Sequence, residues 1–188
     1  ASVKPRDPKR PVKRILVTFG GGEDRGAIKF VLSNLLPETP STVDFLVISG
    51  APNPSNPSVV EWIETYDRGR VCLHIDPPRV APLFASCDLA VMAGGTTTYE
   101  AACCGLPMIL ITIADNQVPQ SRAWAASGTA EYIGILDDLE PQQLLDPIRR
   151  LYLTSLTRQS MAIKGRSAVD GAGACRMSQQ ISERSGHS

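Results

Sequence analysis

Short apolar runs alternate with helix-patterned segments along nearly the whole chain, and this alternation restricts the fold more than any other feature. The runs are Arg14 to Phe19 (RILVTF), Val43 to Ser49, Arg70 to Ile75 (RVCLHI), Leu89 to Ala93, Pro107 to Ile113 (PMILITI) and Ala130 to Ile133. Runs that are apolar throughout belong to strands buried on both faces of a parallel sheet. Between the first two lies a helix pattern from about Asp24 to Leu36. It has Ile28, Val31, Leu32, Leu35 and Leu36 on one face, Glu23 and Asp24 favouring the positive end of its dipole, and Pro37 expected to stop it. Further helices are expected through Val59, Val60, Ile63 and Tyr66, after Asp76-Pro77-Pro78 as far as Ser86, and after the loop Ala114-Asp115-Asn116-Gln117 as far as Ser127, where Gly128 ends the last. The rest reads as helical: Glu140 to Leu153, Thr157 to Val169, and Gly173 to Ile181. The fold class expected is α/β, a Rossmann-like parallel sheet of about six strands with helices on both faces.

Ligands of such sheets bind outside the carboxyl ends of the strands, where the strand order reverses. The stretch Cys87 to Pro107 (CDLAVMAGGTTTYEAACCGLP) marks one such end: a strand, the turn Gly94-Gly95, three threonines, and a helix stopped by Gly105-Leu106-Pro107. The unpaired N–H groups and dipole of that helix start favour an anion, and glycine lets a ligand approach the backbone. Gly20-Gly21-Gly22, Asp76 to Pro78 and Ala114 to Gln117 fall at other carboxyl ends.

With 19 basic and 19 acidic residues the formal charge is zero, which argues against a nucleic-acid-binding domain. The apolar runs are too short to span a bilayer, and the basic start has no apolar core of a secretory signal. Five cysteines without a CxxC pair, and two histidines, indicate neither a disulfide framework nor a zinc site. A reducing cytoplasm is the setting expected, with no metal and no cofactor. The 188 residues suit one domain. Residues 1–13 (ASVKPRDPKRPVK) read as a basic, proline-broken tail or interdomain linker, 14–184 as the folded domain, and 185–188 as a frayed tail.

Taken together, ILVTFGGGED, CDLAVMAGGTTTYEAACCGLP, the ADNQ loop and SAVDGAGACR (Ser167 to Arg176) resemble the C-terminal, nucleotide-sugar-binding half of GT-B-fold enzymes. The resemblance is to the UDP-sugar hydrolase of pseudaminic acid biosynthesis and the related spore-coat polysaccharide proteins. More distantly, the chain is similar to the peptidoglycan N-acetylglucosaminyltransferase. The resemblance implies UDP or a UDP-sugar as ligand, with Gly20, Gly21, Gly22, Gly94, Gly95, Thr96 and Thr97 flanking the diphosphate. It also implies that the loop at Asp76 and Pro77 meets the base, that Glu100 binds the ribose hydroxyls, and that Asn116 and Gln117 face the sugar. The activity implied is hydrolysis of a UDP-linked diacetamido-trideoxyhexose, with glycosyl transfer as the alternative and a non-catalytic binding module as a third possibility.

Each residue has a plainer reading. Thr97-x-x-Glu100 matches a capping box, in which the glutamate turns back to the helix start. Gly20 to Gly22 fit a tight turn, and Glu23 and Asp24 are expected to turn aside if phosphate binds there. Asn116 fits an N-cap. His74 reads as a structural histidine in a strand, and Cys87, Cys103 and Cys104 as small core residues. Asp170-Gly171 suffices as a cap for the final helix. In the hydrolase family the catalytic histidine sits in an N-terminal half, so no catalytic residue is assigned in this chain. An absent N-terminal domain is the expected partner, and this fragment alone is expected to be inactive.

Overall fold

The computed structural model describes residues 7–185. Expectations that rest on residues 1–6 and 186–188 lie outside them. Six parallel strands, β1 (Arg14–Thr18), β2 (Asp44–Ser49), β3 (Val71–Ile75), β4 (Leu89–Met92), β5 (Met108–Thr112) and β6 (Ala130–Ile135), form one sheet in the order β3-β2-β1-β4-β5-β6. The chain builds outward from β1 to β3, then returns to β4 on the other side of β1. The strand order therefore reverses between β1 and β4, where a crevice opens above the carboxyl ends.

The helices are α1 (Ala27–Glu38), α2 (Asn56–Tyr66), α3 (Ala81–Ala85), α4 (Thr97–Cys104), α5 (Val118–Ala126), α6 (Pro141–Leu153), α7 (Ser155–Ala168) and α8 (Gly173–Ser185). Side chains alternate between strand faces, so each central strand feeds two cores. Ile15, Val17, Phe45, Val47, Val91, Ile109 and Ile111 pack with Ile28, Val31 and Leu32 of α1 and Leu144 and Ile148 of α6. Leu16, Leu46, Ala90, Met92, Met108 and Leu110 pack with Phe84 of α3, Ala101 and Ala102 of α4 and Trp124 of α5. The layered α/β fold expected from the alternating runs is the one observed.

Three local expectations need correction. Pro37 lies inside α1, which continues to Glu38. A proline so close to the end forfeits little of the helix ladder. The true stop is Thr39, whose N–H and hydroxyl both donate to the Leu35 carbonyl, at 3.0 and 2.7 Å, while Arg70 donates to the Leu36 carbonyl at 2.8 Å. The second correction concerns β3, which is an edge strand with partly exposed side chains and not a strand buried on both faces. His74 accordingly sits half-exposed beside Cys72, with Sγ and Nε2 3.4 Å apart. The third is that β6 runs to Ile135 across an irregularity in its pairing with β5 at Leu110/Ile111, beyond the expected end at Ile133.

The second half of the segment read as tail or linker is fastened to the domain. Val12 is buried, and the Asp88 carboxylate accepts from the N–H groups of Lys13 and Arg14 at 2.8 and 3.0 Å. Buried Arg158 donates to the carbonyls of Leu151, Tyr152 and Arg10. One guanidinium thereby ties the α6–α7 corner to the chain entering β1. At the other end, Asp170 accepts from the Ala172 N–H at 2.9 Å and pairs with Arg176, holding its carboxyl below the usual range.

Candidate functional site

Each wall of the crevice is a strand exit. Beyond β1 the chain turns through Gly20 at φ 97°, then Gly21 and Gly22, to Arg25 at φ 54° and Gly26 at φ 83°. Asp24 precedes α1 and does not sit in its first turn. It is buried, and its carboxylate accepts from the N–H groups of Ile28 (3.0 Å) and Gly26 (3.4 Å). Its charge is thus spent on the α1 start, while Glu23 is exposed. The Asp24 N–H in turn donates to Asn53 Oδ1 at 3.4 Å, and Asn53 Nδ2 donates to Ser49 Oγ at 3.0 Å. This buried chain joins the glycine loop to the exit of β2. The two backbones nearly touch there: a Cβ added to Gly50 would stand 2.1 Å from the Gly21 carbonyl oxygen.

The exit of β3 bends sharply at Asp76, a non-glycine residue at φ 49° whose N–H donates to the Ser49 carbonyl at 2.8 Å. A left-handed residue of this kind is uncommon and marks a position held by its surroundings.

The exit of β4 divides its three threonines. Thr98 is fully buried: its hydroxyl donates to the Gly95 carbonyl at 2.7 Å and accepts from Gln120 Nε2 (2.8 Å) and Trp124 Nε1 (2.9 Å). Gln120 Nε2 also reaches the Gly95 carbonyl at 2.8 Å. Thr97 borders the crevice, and Thr96 is exposed. No side chain caps α4; the N–H groups of Thr98 and Tyr99 donate to the Gly95 and Thr96 carbonyls at 3.1 Å each, which leaves those of Thr96 and Thr97 to face a ligand. Thr98→Val is expected to lower stability by about 1–2 kcal/mol, because the buried Trp124 Nε1–H loses its acceptor and the Gly95 carbonyl loses the hydroxyl donor. A denaturant midpoint unchanged from the parent would contradict this role.

These exits enclose a cleft of about 150 Å³ bordered by Gly20, Gly21, Ser49, Gly50, Asp76, Pro77, Thr97 and Glu100, with Ile48, Val80 and Phe84 supplying apolar surface. Six of the residues singled out from sequence therefore meet: Gly20, Gly21, Asp76, Pro77, Thr97 and Glu100. Gly22, Gly95 and Thr96 do not border this cleft; a Cβ on Gly22 or Gly95 would meet nothing within 4 Å. Gly94 is buried against α5, where a Cβ would lie 1.9 Å from Ser121 Oγ. Its lack of a side chain therefore serves close packing between the β4 exit and α5. Asn116 and Gln117 stand on the β5 exit, outside the cleft wall. Asn116 is exposed, and Gln117 Oε1 accepts from the Ile113 N–H at 3.0 Å, which leaves its NH₂ group as donor.

The capping box that Thr97-x-x-Glu100 matches, the plainer reading of Glu100, does not form. Thr96 is the residue before the helix, with helical φ −61° and ψ −27°, and Thr97 is already inside it. A capping residue needs extended backbone to aim its oxygen at the helix start. Glu100 is left exposed at the cleft edge, with no hydrogen bond or ion pair to the described residues. The cleft wall carries two carboxylates, Asp76 and Glu100, and no lysine or arginine. An anion bound here is met by backbone N–H groups and the α4 dipole.

Ser49, Gly50, Val80 and Phe84 escaped the sequence reading. The signal available for Gly50 was a glycine directly after a strand. Arg25 escaped it too: its guanidinium donates to the Ile113 carbonyl at 3.1 Å and pairs with Asp137 at 2.7 Å, bridging the first glycine loop to the β5 exit. Among the cysteines, Cys87 is buried, whereas Cys103 and Cys104 are only half-buried. Burial, with Cys103 and Glu100 nearby, pushes the Cys104 thiol up to about 11. Among the described residues no cluster of three or more His, Cys, Asp or Glu is arranged to hold a metal, and no helix is long and apolar enough to cross a membrane.

No family model matches the chain. It is 26% identical over 171 residues to the spore coat polysaccharide biosynthesis protein SpsG of Bacillus subtilis (strain 168), covering 90% of this chain and 50% of that protein. The chain thus spans about half the length of the curated relative it matches. Among solved structures it is similar to WaaG, a glycosyltransferase involved in lipopolysaccharide biosynthesis, with a TM-score of 0.66 at 19% identity over 86% of this chain and 44% of WaaG. Anabaena HepE, solved in complex with UDP and glucose, superposes with a TM-score of 0.68 at 15% identity over 90% of this chain and 47% of HepE. These likenesses establish the fold alone, a six-stranded parallel sheet with helices on both faces that matches the Rossmann-like C-terminal domains of GT-B-fold structures.

Proposed function

We propose that this chain is the UDP-sugar-binding half of a sugar-processing enzyme, and that the cleft at the β1/β4 reversal holds the nucleotide. The observation that carries this reading is Glu100: a carboxylate without a hydrogen-bond or ion-pair partner among the described residues, on the first turns of an uncapped helix, opposite a bare glycine loop. One carboxylate accepts from two vicinal hydroxyls, as the ribose of a nucleotide offers. The diphosphate lies between Gly20-Gly21 and the α4 start, where N–H groups and dipole offset its charge without a metal. The base lies toward Pro77, Ile48, Val80 and Phe84, and the sugar toward Asn116 and Gln117. That HepE was solved with UDP and glucose supports a nucleotide-sugar in a fold of this kind.

The reaction we infer is hydrolysis of a UDP-linked diacetamido-trideoxyhexose of the pseudaminic-acid type, releasing UDP. The motif resemblance favours it, and the likeness to SpsG, a spore coat polysaccharide biosynthesis protein, fits a role in polysaccharide biosynthesis. Donor binding for a GT-B glycosyltransferase is the second reading, favoured by the likeness to WaaG. The two share this cleft and differ in whether water or another hydroxyl attacks the anomeric carbon. Neither base nor acid is assigned within the described residues; an N-terminal half supplies them. Turnover of the UDP-sugar by a two-half protein in ¹⁸O-labelled water separates the two: label in the released sugar means hydrolysis, and its absence means transfer.

Gly21→Val tests the phosphate position. A Cβ at Gly21 meets nothing within 4 Å, so the fold is expected to tolerate the change. UDP is expected to weaken by about 1 kcal/mol, roughly fivefold in Kd, with uridine affected less. Equal weakening of both ligands by calorimetry would make this loop a turn and nothing more.

A further inference from the structure

We propose that Cys72, paired with His74, is a reactive thiol and the modification site of this chain for small disulfides. Side chains two apart on a strand share a face, and on β3 this brings Cys72 Sγ within 3.4 Å of His74 Nε2. The pair opens on a cleft of about 390 Å³ between the sheet edge and α3, bordered by Arg14, Asp44, Leu83 and Ser86, which is room for a tripeptide-sized reagent. Neither residue takes part in the nucleotide cleft. Of the five cysteines only Cys72 and Cys175 are exposed, and among the described residues Cys175 has no histidine beside it.

The chemistry follows from the pairing. His74 Nε2 takes the Cys72 thiol proton, and the thiolate sulfur attacks one sulfur of a disulfide R–S–S–R. A Cys72 Sγ–S–R bond forms, the S–S bond of the reagent breaks, and the departing R–S⁻ takes the proton back from the imidazolium. One protein thiol and one disulfide become one mixed disulfide and one free thiol, with no other oxidant. The edge position lets the reagent reach the sulfur without opening the sheet.

The test is timed exposure of the chain to oxidised glutathione, quenching, and mass mapping of each cysteine. Cys72 is expected to acquire glutathione about tenfold faster than Cys175. His74→Gln is expected to bring Cys72 to within about twofold of Cys175 while the Cys175 rate stays unchanged. His74→Asn serves as a second replacement should the first disturb β3. Equal rates at Cys72 and Cys175 in the parent chain would overturn the proposal. So would a fast Cys72 in a folded His74 variant, which would make access alone the cause.

Discussion

Gly50→Ala is expected to cost about 3 kcal/mol of stability and to abolish measurable UDP binding. The new Cβ would stand 2.1 Å from the Gly21 carbonyl oxygen and 2.5 Å from its Cα. These are backbone atoms, so no rotamer change relieves the contact, and the β1 loop or the β2 exit has to move. Movement is resisted on both sides. Asn53 links Ser49 to the Asp24 N–H, the Asp24 carboxylate holds the α1 start, and Asn56 Nδ2 donates to the Gly50 carbonyl at 2.9 Å. A shift therefore breaks buried hydrogen bonds as well as displacing Gly20 and Gly21 from the cleft wall. Chemical denaturation and UDP calorimetry on the variant check both parts. Native stability with intact binding would mean that the two loops are slack.

Glu100→Ala is expected to weaken UDP by about 1.5–3 kcal/mol, the worth of hydrogen bonds to a charged group, or roughly 10- to 150-fold in Kd. Discrimination between UDP and 2′-deoxy-UDP is expected to disappear with it, because the carboxylate is the group proposed to read both hydroxyls. The melting temperature is expected to stay put. Glu100 is exposed, caps nothing and pairs with no described residue, so its removal takes no internal contact away. A lower melting temperature with equal loss of both nucleotides would return Glu100 to a structural role.

The sheet was legible because burial leaves a mark on composition: Ile15 to Val17, Leu89 to Met92 and Met108 to Ile111 are fully enclosed and apolar without interruption. The cleft was legible in part because strand exits announce themselves as glycine, proline and short polar residues. What the sequence withheld is which atoms meet across long separations. Nothing local tells Thr98, which turns inward to Trp124, from Thr97, which faces the cleft. Nothing at Gly94 says that Ser121 fills the space its side chain lacks. Asp24 reads as an acidic residue at a helix start, but its burial depends on Asn53, 29 residues further on. The edge position of β3 did leave a trace: Arg70, Cys72 and His74 alternate with Val71, Leu73 and Ile75, the pattern of a strand with one wetter face.

Calorimetric titration of this chain with UDP, repeated with uridine, decides whether the β1/β4 crevice holds a nucleoside diphosphate. Saturable binding of one UDP is expected, with uridine much weaker because it offers no diphosphate to the Gly20-Gly21 loop and the α4 start. No UDP binding, or uridine binding as tightly as UDP, would contradict a nucleotide-diphosphate site at the β1/β4 crevice.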